Sequence, residues 1–155
     1  MLTHIVAVGQ HISGWAQDAV AEYLARMPRD FRVELKEIRT EPRPGKTPAQ
    51  LMAAEGERIL AAIEPGSFTV VLDEHGREVS SVEFARLFAG WRRDGESPVF
   101  VIGGPDGLSP EVKAAARMTL RLSEMTLPHA LARVMLAEQI YRAWSILAGH
   151  PYHRA

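Results

Sequence analysis

Three glycines fall within five positions in Gly103-Gly104-Pro105-Asp106-Gly107, directly after the apolar run Pro98-Val-Phe-Val-Ile102. Glycine permits positive φ and lets a ligand sit against bare backbone, and this density exceeds what a single turn needs, so the loop reads as ligand-binding. A second loop, Leu122-Ser123-Glu124-Met125-Thr126-Leu127, ends a shorter apolar run. It has no catalytic signature of its own, but main chain left unpaired by a sheet can read the edge of an adenine. His129 stands at the entrance of a helix, where the dipole favours a neutral ring able to accept a proton or meet a phosphate. A polar residue at a helix entrance explains it equally well. Glu138 and Arg142 are four apart, the spacing of an intrahelical ion pair. The chain ends in His150-Pro-Tyr-His-Arg-Ala155; termini ordinarily fray, yet an aromatic, two histidines and an arginine suggest a task.

Other motifs carry less. Gly9-Gln-His-Ile-Ser-Gly14 sits where a phosphate-binding loop would, but Trp15-Ala16 replaces the Lys-Ser/Thr pair that contacts phosphate and magnesium, so it reads as a turn. His150 and His153, split by Pro-Tyr and without carboxylates, make a weak metal site, and His4 and His11 lack ligand spacing. No metal is expected. With no cysteine there is no disulfide and no thiolate nucleophile. The net charge of −1 means that any nucleic-acid surface must be local, with Arg133, Arg142, His150, His153 and Arg154 as its best candidates. An ordinary solvated helix face explains that cluster too. No apolar run reaches the ~20 residues needed to span a bilayer, and no export signal is visible, so a cytoplasmic protein is expected.

These residues must be held by elements, and the apolar pattern supplies them in alternation. Strands are expected over 2–8, 32–38, 68–72, 98–102 and 119–123. The first helix covers 13–27, with Trp15, Ala19, Val20, Tyr23 and Leu24 on one face. A basic, mobile loop over 39–46 leads to a helix from Thr47-Pro48 to about residue 63. A turn over 73–78 precedes a helix from Ser80 or Ser81 to Arg93, with Phe84, Leu87, Phe88 and Trp91 inward. A short helix starts at Pro110. The last runs over 130–147 with Leu131, Val134, Ala137, Ile140 or Tyr141, Trp144 and Leu147 as its stripe. Met52, Met118, Met125 and Met135 read as core filler. The result is one α/β domain over 1–155, a mostly parallel sheet flanked by helices. Ligands in such folds bind at the carboxyl ends of strands, which points to the loops after Leu72, Ile102 and Ser123.

Taken together, Ile5-Val-Ala-Val-Gly9, Glu22-Tyr-Leu24, Leu72-Asp73, Ile102-Gly-Gly-Pro-Asp-Gly-Leu-Ser-Pro110, Leu127-Pro-His129, Arg133, Tyr141-Arg-Ala-Trp-Ser145 and His150-Pro-Tyr-His-Arg154 resemble the RlmH family of large-subunit ribosomal RNA methyltransferases, in the SPOUT superfamily. The resemblance covers essentially the whole chain. It implies an S-adenosylmethionine-dependent homodimer with a C-terminal trefoil knot that methylates N3 of a pseudouridine in the helix 69 loop of 23S rRNA, on the assembled ribosome. It implies a cofactor site at Leu72, Gly103, Leu122, Ser123, Glu124, Met125, Thr126 and Leu127. Methyl transfer from a sulfonium needs positioning and loss of the N3 proton, neither of which asks for a metal or a covalent nucleophile. His129 is the candidate base or positioning group, Arg142 or Arg154 stabilises developing negative charge, and Tyr152 and His153 meet the base. A dimer interface is expected from Met135, Ile140, Tyr141, Trp144 and Leu147. Gly103→Val is expected to fill the ligand's space without unfolding the chain.

Two other functions suit parts of the pattern. A non-enzymatic ribosome-associated RNA-binding factor would keep the basic tail without the pocket. A small-molecule nucleotide enzyme would keep the pocket and ignore RNA.

Overall fold

Apolar residues alternate along the central strands, and the two sides of that alternation build two cores. The computed structural model describes residues 1–154. Its strands are β1 (Leu2–Val8), β2 (Arg32–Ile38), β3 (Phe68–Glu78), β4 (Pro98–Ile102) and β5 (Met118–Arg121). They form one sheet in the order β2-β1-β4-β3-β5, with every pairing parallel. Helices α1 (Gly14–Ala25), α2 (Pro48–Ala62), α3 (Ser81–Arg93), α4 (Pro110–Ala115) and α5 (His129–Ala148) cover it, with 3₁₀ turns at Arg29–Phe31 and Pro151–Arg154. Ile5, Ala7, Val70, Phe100 and Ile102 face the larger core with Phe84, Phe88, Trp91, Leu136 and Ile140, from α3 and α5. Val6, Val8, Val71, Val99 and Val101 face the smaller one, with Ile59 of α2 and Val112 of α4. Strands buried on both faces read as continuous apolar runs, as parallel sheets require. Among the described residues no helix is long and apolar enough to cross a membrane.

The helix boundaries follow local chemistry. Thr47 and Ser80 accept from the N–H groups of Gln50 and Glu83, whose side chains return the bond, so α2 and α3 each start on a capping box. Gly149 ends α5 in the left-handed region at φ 69°.

Several expectations change. Trp15 is 58% exposed; Ala16 and Val20 are the buried residues of α1. In α5 the buried face is Arg133, Leu136, Ala137, Ile140, Tyr141, Ala143 and Ser145, one step round from the expected stripe, with Leu147 outside. Met125 is 78% exposed, so it is no core filler. The turn over 73–78 is instead an interruption within β3. Leu72 and Arg77 both pair with Leu120, so residues 73–76 bulge out before the strand rejoins β5. Gly76 makes this close approach possible, since a Cβ there would lie 2.5 Å from the carbonyl carbon of Leu120.

Arg133 is 1% exposed, which removes it from the expected basic surface. Its guanidinium donates to Glu37 Oε2 at 2.8 Å, to the Gly9 carbonyl at 3.1 Å and to the Val8 carbonyl at 3.4 Å. One side chain thereby ties the first turns of α5 to the ends of β1 and β2. Removing it would leave two carbonyls and a carboxylate without their donor. Breaking a buried pair costs about 3–5 kcal/mol. Glu37 keeps 33% of its side chain in solvent, which places Arg133→Ala at the low end. Urea denaturation should show a loss of about 3 kcal/mol; a loss under about 1 kcal/mol, the scale of an exposed pair, would show the contact to be dispensable.

Candidate active site

The carboxyl ends of β4 and β5 and the interruption within β3 open on a cavity of about 410 Å³, within the usual range of about 300–1,000 Å³ for small-molecule sites. Leu72, Asp73 and Glu74 line it where β3 is interrupted. The loop from Gly103 to Leu108 lines it after β4, and Leu122, Ser123, Met125, Thr126 and Leu127 after β5, with Arg121, His129 and Ala132 completing the wall. Of the expected cofactor residues, only Glu124 is missing from the wall: its side chain is 77% exposed and lies 3.7 Å from Arg121. The main chain of residues 123–127 makes a single hydrogen bond to the described residues, from Met125 N–H to Ser123 Oγ at 2.9 Å. Its other donors and acceptors are left for a ligand or water.

The glycine loop is shaped from behind. Gly107 takes φ +87°, and its N–H closes a turn on the Gly104 carbonyl at 3.0 Å. A Cβ on Gly104 would lie 3.0 Å from Glu55 Oε1, and one on Gly103 would lie 2.9 Å from Leu108 Cγ and Cδ2. Glycine at 103 therefore serves the packing of the loop onto Leu108, which itself lines the cavity. Glu55 is 3% exposed; one oxygen accepts the Glu41 N–H at 3.0 Å, and the other has no partner.

The loop over 39–46, expected to be basic and mobile, is fastened. Arg43 forks onto Asp106 of the glycine loop at 2.8 and 3.3 Å. Glu41 pairs with Lys46 and Arg58, which hold its carboxyl below the usual carboxylate range. Of the cavity's charged groups, Asp73, Glu74 and Asp106 are acidic, and the one arginine, Arg121, is paired to Glu78 at 2.9 Å.

Of the expected catalytic residues, only His129 reaches this cavity. The others gather at the far end of α5. Arg142 is committed to Glu138 through Nε and a terminal nitrogen at 3.0–3.2 Å, as the four-residue spacing suggests, and this carboxylate raises its pKa. Tyr152 donates its one hydroxyl proton to Glu138 Oε2 at 3.1 Å and lies 3.3 Å from the Tyr23 hydroxyl, while its ring meets Tyr141 edge-on at 4.7 Å. Burial, then the Tyr23 and Glu138 contacts, push the Tyr152 phenol well above its ordinary value. His153 is held by Ser145, and Arg154 is exposed. The tail is thus a folded 3₁₀ turn on α5, not a frayed end. From His129 to Ser145 the helix rises about 24 Å, so pocket and tail do not meet in one chain.

Ile140 and Tyr141, expected at a dimer interface, are spent on the chain's own core, whereas Met135, Trp144 and Leu147 keep exposed surface. Sequence reasoning gave no positioning role to Glu37, Glu55, Asp106, Tyr23 or Ser145, and it read Glu138 only as the ion-pair partner of Arg142. For Arg133 a signal existed: it lies three, four and seven residues before Leu136, Ala137 and Ile140, on the buried face. Glu55 and Ser145 gave none.

A family model described as "Predicted SPOUT methyltransferase" matches residues 1–153. The chain is 53% identical over 150 residues to the Ribosomal RNA large subunit methyltransferase H of Delftia acidovorans, covering 97% of both chains. It is 51% identical over 156 residues to the protein of the same name from Burkholderia vietnamiensis, covering all of both. Among solved structures, "a probable methylase family protein from Haemophilus influenzae Rd KW20" shares the fold with a TM-score of 0.58 at 15% identity, over 97% of this chain and 69% of that one.

The geometry behind Gly103 revises the expected effect of Gly103→Val. The new side chain must displace Leu108, and overpacking of this kind costs about 1–3 kcal/mol. Thermal denaturation should show a lowered Tm alongside any loss of ligand affinity. An unchanged Tm would mean that Leu108 yields freely.

Proposed function

The chain belongs to the SPOUT methyltransferases, among the ribosomal RNA large subunit methyltransferases H, and from that premise we propose that it transfers the methyl group of S-adenosylmethionine to N3 of a pseudouridine in the helix 69 loop of 23S rRNA. The assembled ribosome, in the cytoplasm, is the substrate, and the working unit is a homodimer whose subunits carry the C-terminal knot of the family.

The observation that carries this reading is the separation of the two functional clusters by the length of α5. A site that uses both the cavity and the tail must take the cavity from one subunit and the tail from its partner. Met135, Trp144 and Leu147 retain apolar surface for that association.

The cavity suits the cofactor. Glu74, the one cavity carboxylate without a lysine or arginine partner among the described residues, favours a ligand carrying a sulfonium and an ammonium, and the unpaired main chain of residues 123–127 offers donors and acceptors to an adenine edge. When bound, the cofactor supplies an electrophilic methyl group. The chain's own part is to hold the nucleobase in line, exclude water and receive the N3 proton. His129 at the cavity and His153 on the tail are the imidazoles available for the proton. Arg154, exposed and without an ion pair among the described residues, faces the developing imide charge, a guanidinium role. Arg142, bound to Glu138, instead braces Tyr152, over whose ring it sits at 5.2 Å. The net charge of −1 fits an enzyme that reads a preformed ribosomal surface with two tails instead of neutralising a long stretch of phosphates.

Labelled S-adenosylmethionine incubated with the protein and ribosomes should mark 23S rRNA at that pseudouridine, with little label in free nucleosides. Label in nucleosides and none in ribosomes would contradict the reading. Calorimetry with S-adenosylmethionine alone should show binding; its absence would favour a non-enzymatic RNA-binding factor. Arg154→Ala should reduce methyl transfer by about 10²-fold, the scale of losing one charge stabiliser, while cofactor affinity and Tm stay put. Unchanged transfer would remove Arg154 from the site.

A further inference from the structure

Ser145 lies on the inner face of α5 and is 0% exposed, yet its hydroxyl contacts only the tail. It accepts the His153 main-chain N–H at 3.0 Å, lies 2.7 Å from His153 Nδ1 and lies 3.2 Å from the His150 carbonyl. A serine hydroxyl has one proton and two lone pairs. If that proton goes to Nδ1, the His150 carbonyl loses its donor and two hydrogen bonds form. If Nδ1 carries the proton instead, Ser145 Oγ accepts from both His153 N–H and Nδ1–H and donates to the carbonyl. Three bonds then form, and every group at the anchor is satisfied. A buried hydroxyl favours the fully satisfied arrangement.

The neighbouring histidine is set the other way. His150 Nδ1 accepts the Tyr152 main-chain N–H at 3.2 Å, so Nδ1 is unprotonated and the neutral ring carries its proton on Nε2. The two tail imidazoles therefore offer opposite outer nitrogens: His150 a donor, His153 an acceptor. Among the described residues His153 Nε2 has no hydrogen-bond partner.

We infer that His153, fixed by Ser145 as the Nδ1–H tautomer, presents Nε2 as the base that takes the N3 proton of the target nucleobase, with Ser145 as its positioning residue. The inference rests on the reading that the tail acts at the partner's cavity. As the N3 proton passes to Nε2, the N3 electron pair forms the bond to the methyl carbon. The carbon–sulfur bond breaks with its electrons left on sulfur, and the imidazolium returns its proton to water. His129 then lines the site as a positioning group at the entrance of α5. Which ring nitrogen carries the proton is set by what the other one bonds, which is how a hydroxyl remote from the substrate decides between a base and a donor.

Ring nitrogen NMR of the ¹⁵N-histidine-labelled protein, without cofactor or RNA, reads the tautomers directly. The wild type should show His153 protonated at Nδ1 and His150 at Nε2. Ser145→Ala should shift His153 toward Nε2–H, and Ser145→Thr, which keeps the hydroxyl, should restore Nδ1–H. On ribosomes under single-turnover conditions, His153→Ala should lose about 10²-fold or more in rate, the ordinary contribution of a general base. Ser145→Ala should lower kcat with KM little changed. An Nε2–H tautomer at His153 in the wild type overturns the inference, whether or not Ser145→Ala folds. Loss of activity in His153→Ala with that tautomer leaves the tail in the site but not as this base. Full activity of His153→Ala removes the inference together with the reading beneath it.

Discussion

A helix of 20 residues is a rod about 30 Å long, and α5 is such a rod, running from the cavity wall at His129 to Ala148 beside the tail. Both ends are fixed. At one end Arg133 is drawn onto Glu37 and the carbonyls of Val8 and Gly9; at the other, Ser145 and Glu138 hold His153 and Tyr152. The body of the rod is buried against α1, α3 and the sheet through Leu136, Ala137, Ile140 and Ala143. A chain built this way cannot fold its tail into its own cavity without unwinding the helix. A site that uses both ends of the rod would need a second subunit, by helix geometry alone.

The cavity end shows how little chemistry the pocket itself contains. Its carboxylates are largely countered at the rim, Asp106 by Arg43 and Asp73 by Lys113 at 4.0 Å. Two of its glycines are taken up by close contacts, Gly103 against Leu108 and Gly104 against Glu55. These contacts fix the loops and leave unpaired main chain turned to the ligand. Such a site can orient a small molecule but holds a single imidazole, His129, and no free guanidinium. The missing guanidinium and a second imidazole are present on the tail, in Arg154 and His153.

Much of the frame was legible in the sequence because it rests on local patterns. Strands 2–8 and 98–102 follow from apolar runs that end at glycine, strand 32–38 from an imperfect alternation of Val33, Leu35 and Ile38, and the caps at Thr47 and at Ser80 or Ser81 from residue type and spacing. The three loops of the cavity follow from the rule that parallel sheets bind at strand ends. What the sequence hid depends on distance. The bulge over 73–76 exists because Gly76 meets Leu120, forty-four positions on. The fastening of the loop over 39–46 depends on Asp106 and Glu55, which look like ordinary surface acids in a list of residues. The α5 stripe was displaced because a buried arginine and serine sit on the core face, and a pattern of apolar residues alone passes over both. The roles given to the tail came from resemblance, since a segment as short as His150-Pro-Tyr-His-Arg154 has no period to read.

The most direct test of the composite site is complementation between two inactive proteins. One lacks residues 151–155 and keeps its cavity; the other carries Thr126→Trp, which blocks the cavity from its wall and keeps the tail. Each alone should be inactive on ribosomes. When the two are unfolded together and refolded, mixed dimers pair the open cavity of one with the intact tail of the other, and methyl transfer should reappear in part. If the mixture stays inactive while native mass spectrometry shows that mixed dimers have formed, the cavity and the tail do not cooperate across subunits, and the account is wrong at its centre.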